Sequence, residues 1–231
     1  MSWSWLDKLL PQSCYLCGAR TSGVLCPGCL TDLPYYPIEN TCLCCARPLN
    51  PEFEERHCLE CQHSPPAFTQ TYPIFSYSYP INHLILAAKF EQNLTILNLL
   101  AELMAQHLDY QRTPDVLIPV PLHFKRLRER GYNQSLEIAK VVARRLHLPV
   151  ATLACERIRY TPPQAQLTGS QRKTNVQNAF RARYVQKSWQ HVVLIDDVMT
   201  TGATVNELAA VLLQAGIQQV DVWCCARTLD S

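Results

Sequence analysis

One stretch near the carboxyl end of the chain constrains the fold more than any other, and it runs from His191 to Thr204. Its sequence is HVVLIDDVMTTGAT, and the apolar run at 192–195 is typical of a strand buried on both faces of a parallel sheet. Two carboxylates and a Thr/Gly loop follow, and apolar side chains then recur at helical spacing over 205–212. The stretch therefore predicts an α/β fold with a mostly parallel sheet flanked by helices.

The loop of this unit is suited to an anion. A small-residue loop between a buried strand and a helix directs backbone N–H groups at one point, where the helix dipole favours negative charge. A glycine permits close approach, threonine hydroxyls can donate to phosphate oxygens, and an acid pair suits sugar hydroxyls or a hydrated Mg²⁺. The competing interpretation is a plain strand-end turn followed by a helix cap. We predict a phosphosugar site at Asp196, Asp197, Thr200, Thr201, Gly202, Ala203 and Thr204.

A second predicted strand, at 115–121, ends in a proline-stiffened loop, and a basic run follows it directly. Between Val120 and Gln190 the chain has fourteen Lys/Arg against three Asp/Glu. Such a run is usually a solvated face, but its position beside a candidate anion loop favours binding of pyrophosphate or nucleic-acid phosphate. The candidate ligands are Pro119, Val120, Pro121, Lys125, Arg126, Arg128, Arg130 and Arg172. No segment identifies a catalytic residue.

Other segments fit the same fold class. Residues 94–108 and 133–147 carry apolar side chains at helical spacing, and residues 220–225 predict a terminal buried strand. Residues 157–172 are polar, contain two prolines and a glycine, and predict a mobile hood over the phosphates.

Nine of the twelve cysteines lie in the first 61 residues, and eight of these form four pairs in which two residues separate the thiols. Two such pairs complete a tetrahedral four-thiolate site, so four pairs predict two structural zinc ions. Sequential pairs and an interleaved cross-brace are both consistent with the spacing. A disulfide framework would need an oxidising compartment, which nothing in the sequence indicates. The ligands are Cys14, Cys17, Cys26, Cys29, Cys42, Cys45, Cys58 and Cys61.

The proline pair Pro65–Pro66 follows the last clustered cysteine and predicts a domain boundary there. Residues 1–67 would form a short helix and a double zinc ribbon, and residues 68–231 the second domain. The composition, with 48% hydrophobic residues, excludes a disordered chain. The sequence contains neither a signal peptide nor a run of about 18 apolar residues, so we expect a cytoplasmic protein with no membrane span.

The order of these motifs resembles the ComF family, and within it the GntX-like branch. The features that match are the cysteine module, segments 118–122 and 130–134, the loop 192–204, and Gln164, Arg172, Asn175, Ala179 and Phe180. The loop also resembles the phosphoribosyl pyrophosphate (PRPP) loop of type I phosphoribosyltransferases. The resemblance implies a type I phosphoribosyltransferase domain behind a double zinc ribbon. It implies that the acid pair holds the ribose hydroxyls, that the loop binds the 5′-phosphate, and that the protein takes part in DNA uptake and competence.

Two functions from different classes are consistent with these features. The first is a competence-associated protein that binds single-stranded DNA and keeps a PRPP-type site, with DNA-uptake or recombination proteins as further partners. Lys/Arg neutralisation of phosphates would supply the affinity. Tyr132, Tyr160, Phe180 and Tyr184 could stack bases, and packing in the core or in loops is an equally good interpretation of them. The second is an active phosphoribosyltransferase that uses PRPP and Mg²⁺, with an unknown acceptor.

Overall fold

The computed structural model describes residues 12–50, 55–161 and 175–228. In chain order its elements are β1 (Gln12–Ser13), β2 (Arg20–Thr21), α1 (Pro27–Thr31), α2 (Leu59–His63), β3 (Thr71–Ser76), α3 (Ile81–Phe90), α4 (Leu94–His107), β4 (Val116–Pro119), α5 (Phe124–Arg130), α6 (Gln134–Leu146), β5 (Cys155–Arg157), β6 (Phe180–Ala182), β7 (His191–Met199), α7 (Ala203–Gln214) and β8 (Gln219–Arg227). The predicted N-terminal helix lies outside the described residues.

A sheet of four parallel strands forms the centre of the second domain, in the order β3-β8-β7-β4. Val192 of β7 pairs with Val116 of β4 on one side and with Val220 of β8 on the other. Because the strands are parallel, their carboxyl ends meet at one edge, where ligands of open α/β sheets bind. The predicted mostly parallel sheet is confirmed, and the expected strands at 115–121 and 220–225 correspond to β4 and to part of β8.

Helices cover both faces of this sheet, which explains the continuous apolar run of β7. Val193 and Ile195 point into the core formed with α3, α4 and α6, whereas Val192 and Leu194 point to the opposite face, against α7. Alternate side chains of a strand face opposite sides, so a strand covered twice must be apolar throughout. The helices predicted at 94–108 and 133–147 are confirmed as α4 and α6.

Helices α4 and α6 each begin at an asparagine cap. The Asn93 side chain accepts the N–H of Ile96 at 3.2 Å, and that of Asn133 accepts the N–H of Ser135 at 3.1 Å. Such caps satisfy backbone donors that the first turn of a helix leaves open. The cap at Asn133 fixes where α6 starts, and this start lies at the carboxyl edge of the sheet.

The cysteine-rich segment packs directly on the second domain. The chain between its two halves runs beside β3, where the Tyr36 N–H donates to Ile74 O and the Ser76 N–H donates to Pro34 O, both at 2.8 Å. The predicted boundary at 67/68 falls between α2 and β3, and it stays a prediction.

Strands β5 and β6 pair antiparallel at the base of the predicted hood. Residues 162–172, which are most of that hood, lie outside the described residues.

Within the described ranges, we find no helix that combines the length and the apolar character needed to cross a membrane.

Candidate phosphate site and metal centres

The acid pair lies at the carboxyl end of β7 and contacts two other elements. Lys89 Nζ, from the last turn of α3, lies 2.7 Å from Asp197 Oδ2. The Ser135 hydroxyl, from the first turn of α6, donates to Asp196 Oδ1 at 3.1 Å. The sequence prediction missed both residues. A lysine in the otherwise apolar run ILAAKF of α3 was the signal that could have revealed Lys89.

The electrostatics of the pair differ from those of exposed carboxylates. Burial, together with the neighbouring charge of Asp197, raises the pKa of Asp196 to about 7, and the ammonium of Lys89 opposes this rise. Near neutral pH Asp196 is therefore partly protonated, so this carboxyl group can act either as a hydrogen-bond acceptor or as a donor.

The predicted phosphate loop leads from Met199 into α7. Gly202 is the N-cap residue of α7 and has φ of 77°. A Cβ at Gly202 would lie 2.7 Å from Met199 Cε and 3.7 Å from Phe68 Cζ. Glycine therefore suits the left-handed backbone, and a Cβ there would also have to displace the end of the buried Met199 side chain. The Ala203 N–H donates to Thr201 Oγ1 at 3.4 Å, which orders the turn from within.

A buried arginine holds this loop from below. Arg227, at the end of β8, is only 1% exposed. Its Nη1 donates to the carbonyl oxygens of Met199, at 3.3 Å, and of Thr200. Its Nε donates to Cys45 O at 3.1 Å. Sequence reasoning missed Arg227, because nothing in the terminal apolar strand marks which segments its last residue contacts.

The loop lines a cavity of about 260 Å³, which it shares with the second cysteine cluster. Thr201, Gly202 and Ala203 line it from the loop, and Arg47, Cys45 and Cys61 line it from the cysteine-rich segment. The acid pair does not line this cavity, and it contacts Lys89 and Ser135. The predicted loop thus lies at a concave surface, and its assignment to a phosphosugar stays a prediction.

The proline-stiffened loop after β4 lies beside the acid pair. The Val120 N–H donates to Ile195 O at 3.0 Å, one residue before Asp196. The Asn133 side chain donates to Val120 O at 3.0 Å. Pro119 and Pro121 line a second cavity of about 470 Å³. The structure therefore brings the two predicted anion loops to one edge of the sheet, as parallel topology requires.

The predicted basic ligands have different surroundings. Lys125 Nζ lies 5.5 Å from the Tyr160 ring centroid, Arg126 Nη1 lies 3.7 Å from Glu129 Oε2, and Arg130 donates to the Gln134 side chain at 3.1 Å. Arg128 is exposed on α5, and Arg172 lies outside the described residues. Arg157 was not among the predicted ligands. Burial lowers its pKa, the charge of Asp196 opposes that effect, and Arg126 adds to it, so Arg157 lies within electrostatic reach of both.

The four candidate stacking residues also differ in how exposed their rings are. Tyr160 and Tyr184 are exposed, whereas Phe180 is buried and the Tyr132 hydroxyl donates to Ala88 O in the packing of α3. The prediction missed Phe124, which is 58% exposed. Its position inside the basic run could have revealed it.

The eight paired cysteines form two groups in sequential order. Cys14, Cys17, Cys26 and Cys29 make one group, and Cys42, Cys45, Cys58 and Cys61 make the other. Within each group the sulfur atoms all lie within 4.8 Å of one another. This arrangement excludes the cross-brace, and it confirms two four-cysteine sites. Cys44 belongs to neither group, and its thiol donates to Phe68 O at 3.4 Å.

The donor sets fit structural zinc. The backbone N–H of Cys17, followed by those of Cys26 and Leu16, lowers the pKa of Cys14 to about 6 although burial opposes this. Amides that stabilise a thiolate favour metal binding. Four thiolates leave no open coordination position, so zinc at these sites contributes to folding and not to a reaction.

Comparison with known proteins gives matches over nearly the whole chain. The phosphoribosyl transferase domain family matches residues 87–230, and the double zinc ribbon domain family matches residues 5–62. Competence protein F of Haemophilus influenzae is 31% identical over 211 residues, which are 88% of this chain and 90% of that protein. DNA utilization protein YhgH of Escherichia coli K12 is 34% identical over 224 residues, which are 94% and 90% of the two chains.

Among solved structures, the chain is similar to the glutamine phosphoribosylpyrophosphate amidotransferase of B. subtilis complexed with ADP and GMP. The identity is 21%, the TM-score is 0.36, and the match covers 56% of this chain and 26% of that one. The chain thus spans about a quarter of the length of that enzyme. From the family match over residues 87–230 and from relatives that are more than 30% identical over 90% of their length, we conclude that this chain belongs to the ComF family, which joins a double zinc ribbon to a phosphoribosyltransferase domain.

Proposed function

We propose that this protein binds single-stranded DNA during DNA uptake or utilisation, and that its phosphoribosyltransferase domain holds PRPP or a similar phosphosugar. One observation carries the proposal: exposed aromatic rings and basic side chains share a surface next to the loop after β4. The names of the relatives, a competence protein and a DNA utilization protein, support the same role.

The aromatic-basic surface consists of Phe124, Lys125, Arg126, Arg157 and Tyr160. Phe124 and Tyr160 are 58% and 42% exposed. The buried ring of His123 lies between them, with centroids 4.4 Å from Phe124 and 5.4 Å from Tyr160, so the rings form one cluster. Exposed rings stack bases whatever the sequence, and adjacent cations neutralise the phosphates between those bases. Single strands present both groups together.

The phosphosugar site would use the two loops at the sheet edge. Asp196 and Asp197 would accept hydrogen bonds from ribose hydroxyls, while the Thr201 hydroxyl and the start of α7 would bind the 5′-phosphate. Residues 119–121 would receive the pyrophosphate. When bound, Mg²⁺ would neutralise pyrophosphate charge, and the acid pair supplies the carboxylates that suit it.

The second candidate function is an active phosphoribosyltransferase. The reaction would be a displacement at ribose C1 with pyrophosphate leaving, in which the protein contributes positioning and charge stabilisation. The cavity of about 470 Å³ beside Pro119 and Pro121 favours this candidate, because it has room for an acceptor molecule. Release of pyrophosphate from PRPP in the presence of an added nucleobase would establish it.

The proposed location is the cytoplasm. None of the twelve cysteines forms a disulfide, and eight of them form the two metal sites. Thiolate sites of this kind persist in a reducing compartment.

Binding of a labelled oligothymidylate, measured by fluorescence anisotropy at several salt concentrations, tests the DNA proposal. We expect affinity to fall steeply with salt, and Lys125→Ala with Arg126→Ala to lower the log–log slope by about 1 to 2. Phe124→Ala should weaken binding by about 5- to 100-fold, because it removes a stacking platform.

Arg144→Ala with Arg145→Ala is the matched control. These residues are equally basic, but they lie on the outer side of α6 and pair with Glu102. Salt-independent binding, no binding, or equal losses in both double variants would overturn the DNA proposal.

Calorimetry with PRPP and Mg²⁺ tests the phosphosugar site. We expect heat of binding with the unaltered protein and none with Asp196→Asn plus Asp197→Asn, while circular dichroism shows that the fold is kept. If the unaltered protein gives no heat with PRPP, the phosphosugar proposal is wrong.

A further inference from the structure

Arg227 contacts two parts of the molecule that are distant in sequence. One side of its guanidinium donates to Cys45 O, on a ligand residue of the second metal site. The other side donates to the carbonyls of Met199 and Thr200, where the phosphate loop begins. A guanidinium is planar and rigid, so it fixes the relative position of the carbonyls that it bonds.

Other contacts join the same two parts. The Cys44 thiol donates to Phe68 O at 3.4 Å, and the Phe68 ring lies beneath Gly202. The Ala67 N–H donates to Asn206 Oδ1, on the first turn of α7, at 2.7 Å. The chain that leaves the second metal site therefore supports the loop directly, and both line the cavity of about 260 Å³.

The first metal site is placed differently. Tyr15, next to Cys14, stacks on His83 of α3 with centroids 5.9 Å apart, and its hydroxyl donates to Glu91 at 3.4 Å. Cys14 and Leu25 pack into the core beneath α3 and α4. This site supports a pair of helices, whereas the second site supports the loop.

We propose that Arg227 is a positioning residue that couples zinc in the second site to anion binding at the phosphate loop. With metal bound, the ribbon fixes the Cys45 carbonyl where Arg227 needs an acceptor. When the metal is lost, that carbonyl can move, and a buried guanidinium that loses an acceptor must rearrange, which releases the loop. Coupling between two binding sites is reciprocal, so an anion at the loop also retains zinc in the second site. The anion part rests on the proposed phosphosugar function of the loop.

Hydrogen exchange tests the link without any ligand. We expect Cys58→Ser with Cys61→Ser to raise exchange of the amides at 199–206 by about tenfold or more, and Cys26→Ser with Cys29→Ser to leave it unchanged. Arg227→Lys should raise exchange in the same segment while zinc content stays at two per chain, because one ammonium cannot reach both sets of carbonyls. Equal exchange at 199–206 in both ribbon variants, or no change in Arg227→Lys, would overturn the proposal.

Zinc release to a colorimetric chelator, with and without PRPP and Mg²⁺, tests the reciprocal effect. In Cys26→Ser with Cys29→Ser, which keeps the second site, we expect the ligand to slow release about fivefold or more. In Cys58→Ser with Cys61→Ser, which keeps the first site, it should have no effect. If the protein binds PRPP but second-site release is unaffected, the coupling is wrong. If PRPP does not bind, the phosphosugar proposal fails, and the exchange result alone decides the role of Arg227.

Discussion

The two zinc ribbons share one ligand pattern, but they occupy very different environments. In the first, only Cys14 is buried, and the site lies against α3 and α4. In the second, three of the four ligands are buried, and they belong to the same apolar cluster as Val192 and Leu194 of the central sheet. An identical metal motif therefore places one ligand in the domain core in the first case and three in the second.

The difference arises from the segment that each ribbon leads into. After the second ribbon, residues 64–68 lead directly into β3 and pass beneath Gly202. The cysteine side chains there fill space that large aliphatic side chains would fill in an ordinary core. If the environments differ in this way, the two ribbons should also differ in their contribution to stability.

Loss of one metal site should distinguish the ribbons most strongly. We expect Cys58→Ser with Cys61→Ser to lower the melting temperature by more than about 10 °C, because the lost zinc supports core packing. Cys26→Ser with Cys29→Ser should lower it by less than about half as much. Differential scanning calorimetry, with zinc content measured in parallel, gives both values. Equal losses would mean that the two ribbons support the fold to the same extent.

Two glycines give a matched test of smaller size. Gly18 and Gly202 have φ of 74° and 77°, so alanine is strained at both. Nothing lies within 4 Å of a Cβ at Gly18, whereas Met199 Cε lies 2.7 Å from a Cβ at Gly202. We expect the free energy of unfolding to fall by about 1 kcal/mol for Gly18→Ala and by about 2–4 kcal/mol for Gly202→Ala. Chemical denaturation measures both, and equal values would mean that the contact beneath Gly202 is easily relieved.

The acid pair gives the smallest expected effect, and it depends on pH. The surroundings of the pair depend on both ribbons. Lys89, which contacts Asp197, lies on a helix that the first ribbon covers, and the loop after the pair contacts the second ribbon. The pKa of Asp196 is raised from 3.8 to about 7, so the folded state binds more protons than the unfolded chain between these values. Stability from this group is therefore lost as pH rises from about 4 to about 7.

Asp196→Asn cannot ionise and keeps an oxygen that accepts from Ser135. At pH 8 we expect it to unfold at a higher temperature than the unaltered protein, with a free energy of unfolding that is larger by about 1–2 kcal/mol. This difference in stability should shrink towards pH 5. Asp197→Asn is the contrasting variant, because it leaves Lys89 without its carboxylate, and we expect it to destabilise the protein. Thermal melts of both variants at pH 8 and pH 5 test these expectations. A stability advantage of Asp196→Asn that grows as the pH falls would contradict the raised pKa.

Local patterns predicted several parts of the fold and site. The strand in HVVLIDDVM and the four cysteine pairs depend on neighbours in sequence, so spacing and residue type were sufficient. Ser135 and Arg157 were missed as site residues, because each reaches its surface through packing of an element whose own pattern is ordinary. Lys89 and Phe124 were also missed, although each had a local signal. The sequence leaves open whether Tyr132 and Phe180 stack bases or pack internally, and in the structure one packs against α3 and the other is buried.

Residue order alone was enough to specify the parallel α/β sheet, the acid pair at the end of its buried strand, and two sets of four thiolates. Tertiary packing was needed to establish that the thiolates pair sequentially, that one ribbon covers α3 while the other lies beneath the phosphate loop, and that Arg227 joins Cys45 to that loop. The physical reason is range: backbone conformation and metal-ligand spacing are set within a few residues. The hydrogen bonds of Arg227 span up to 182 positions along the chain, and only packing of the sheet brings those groups together.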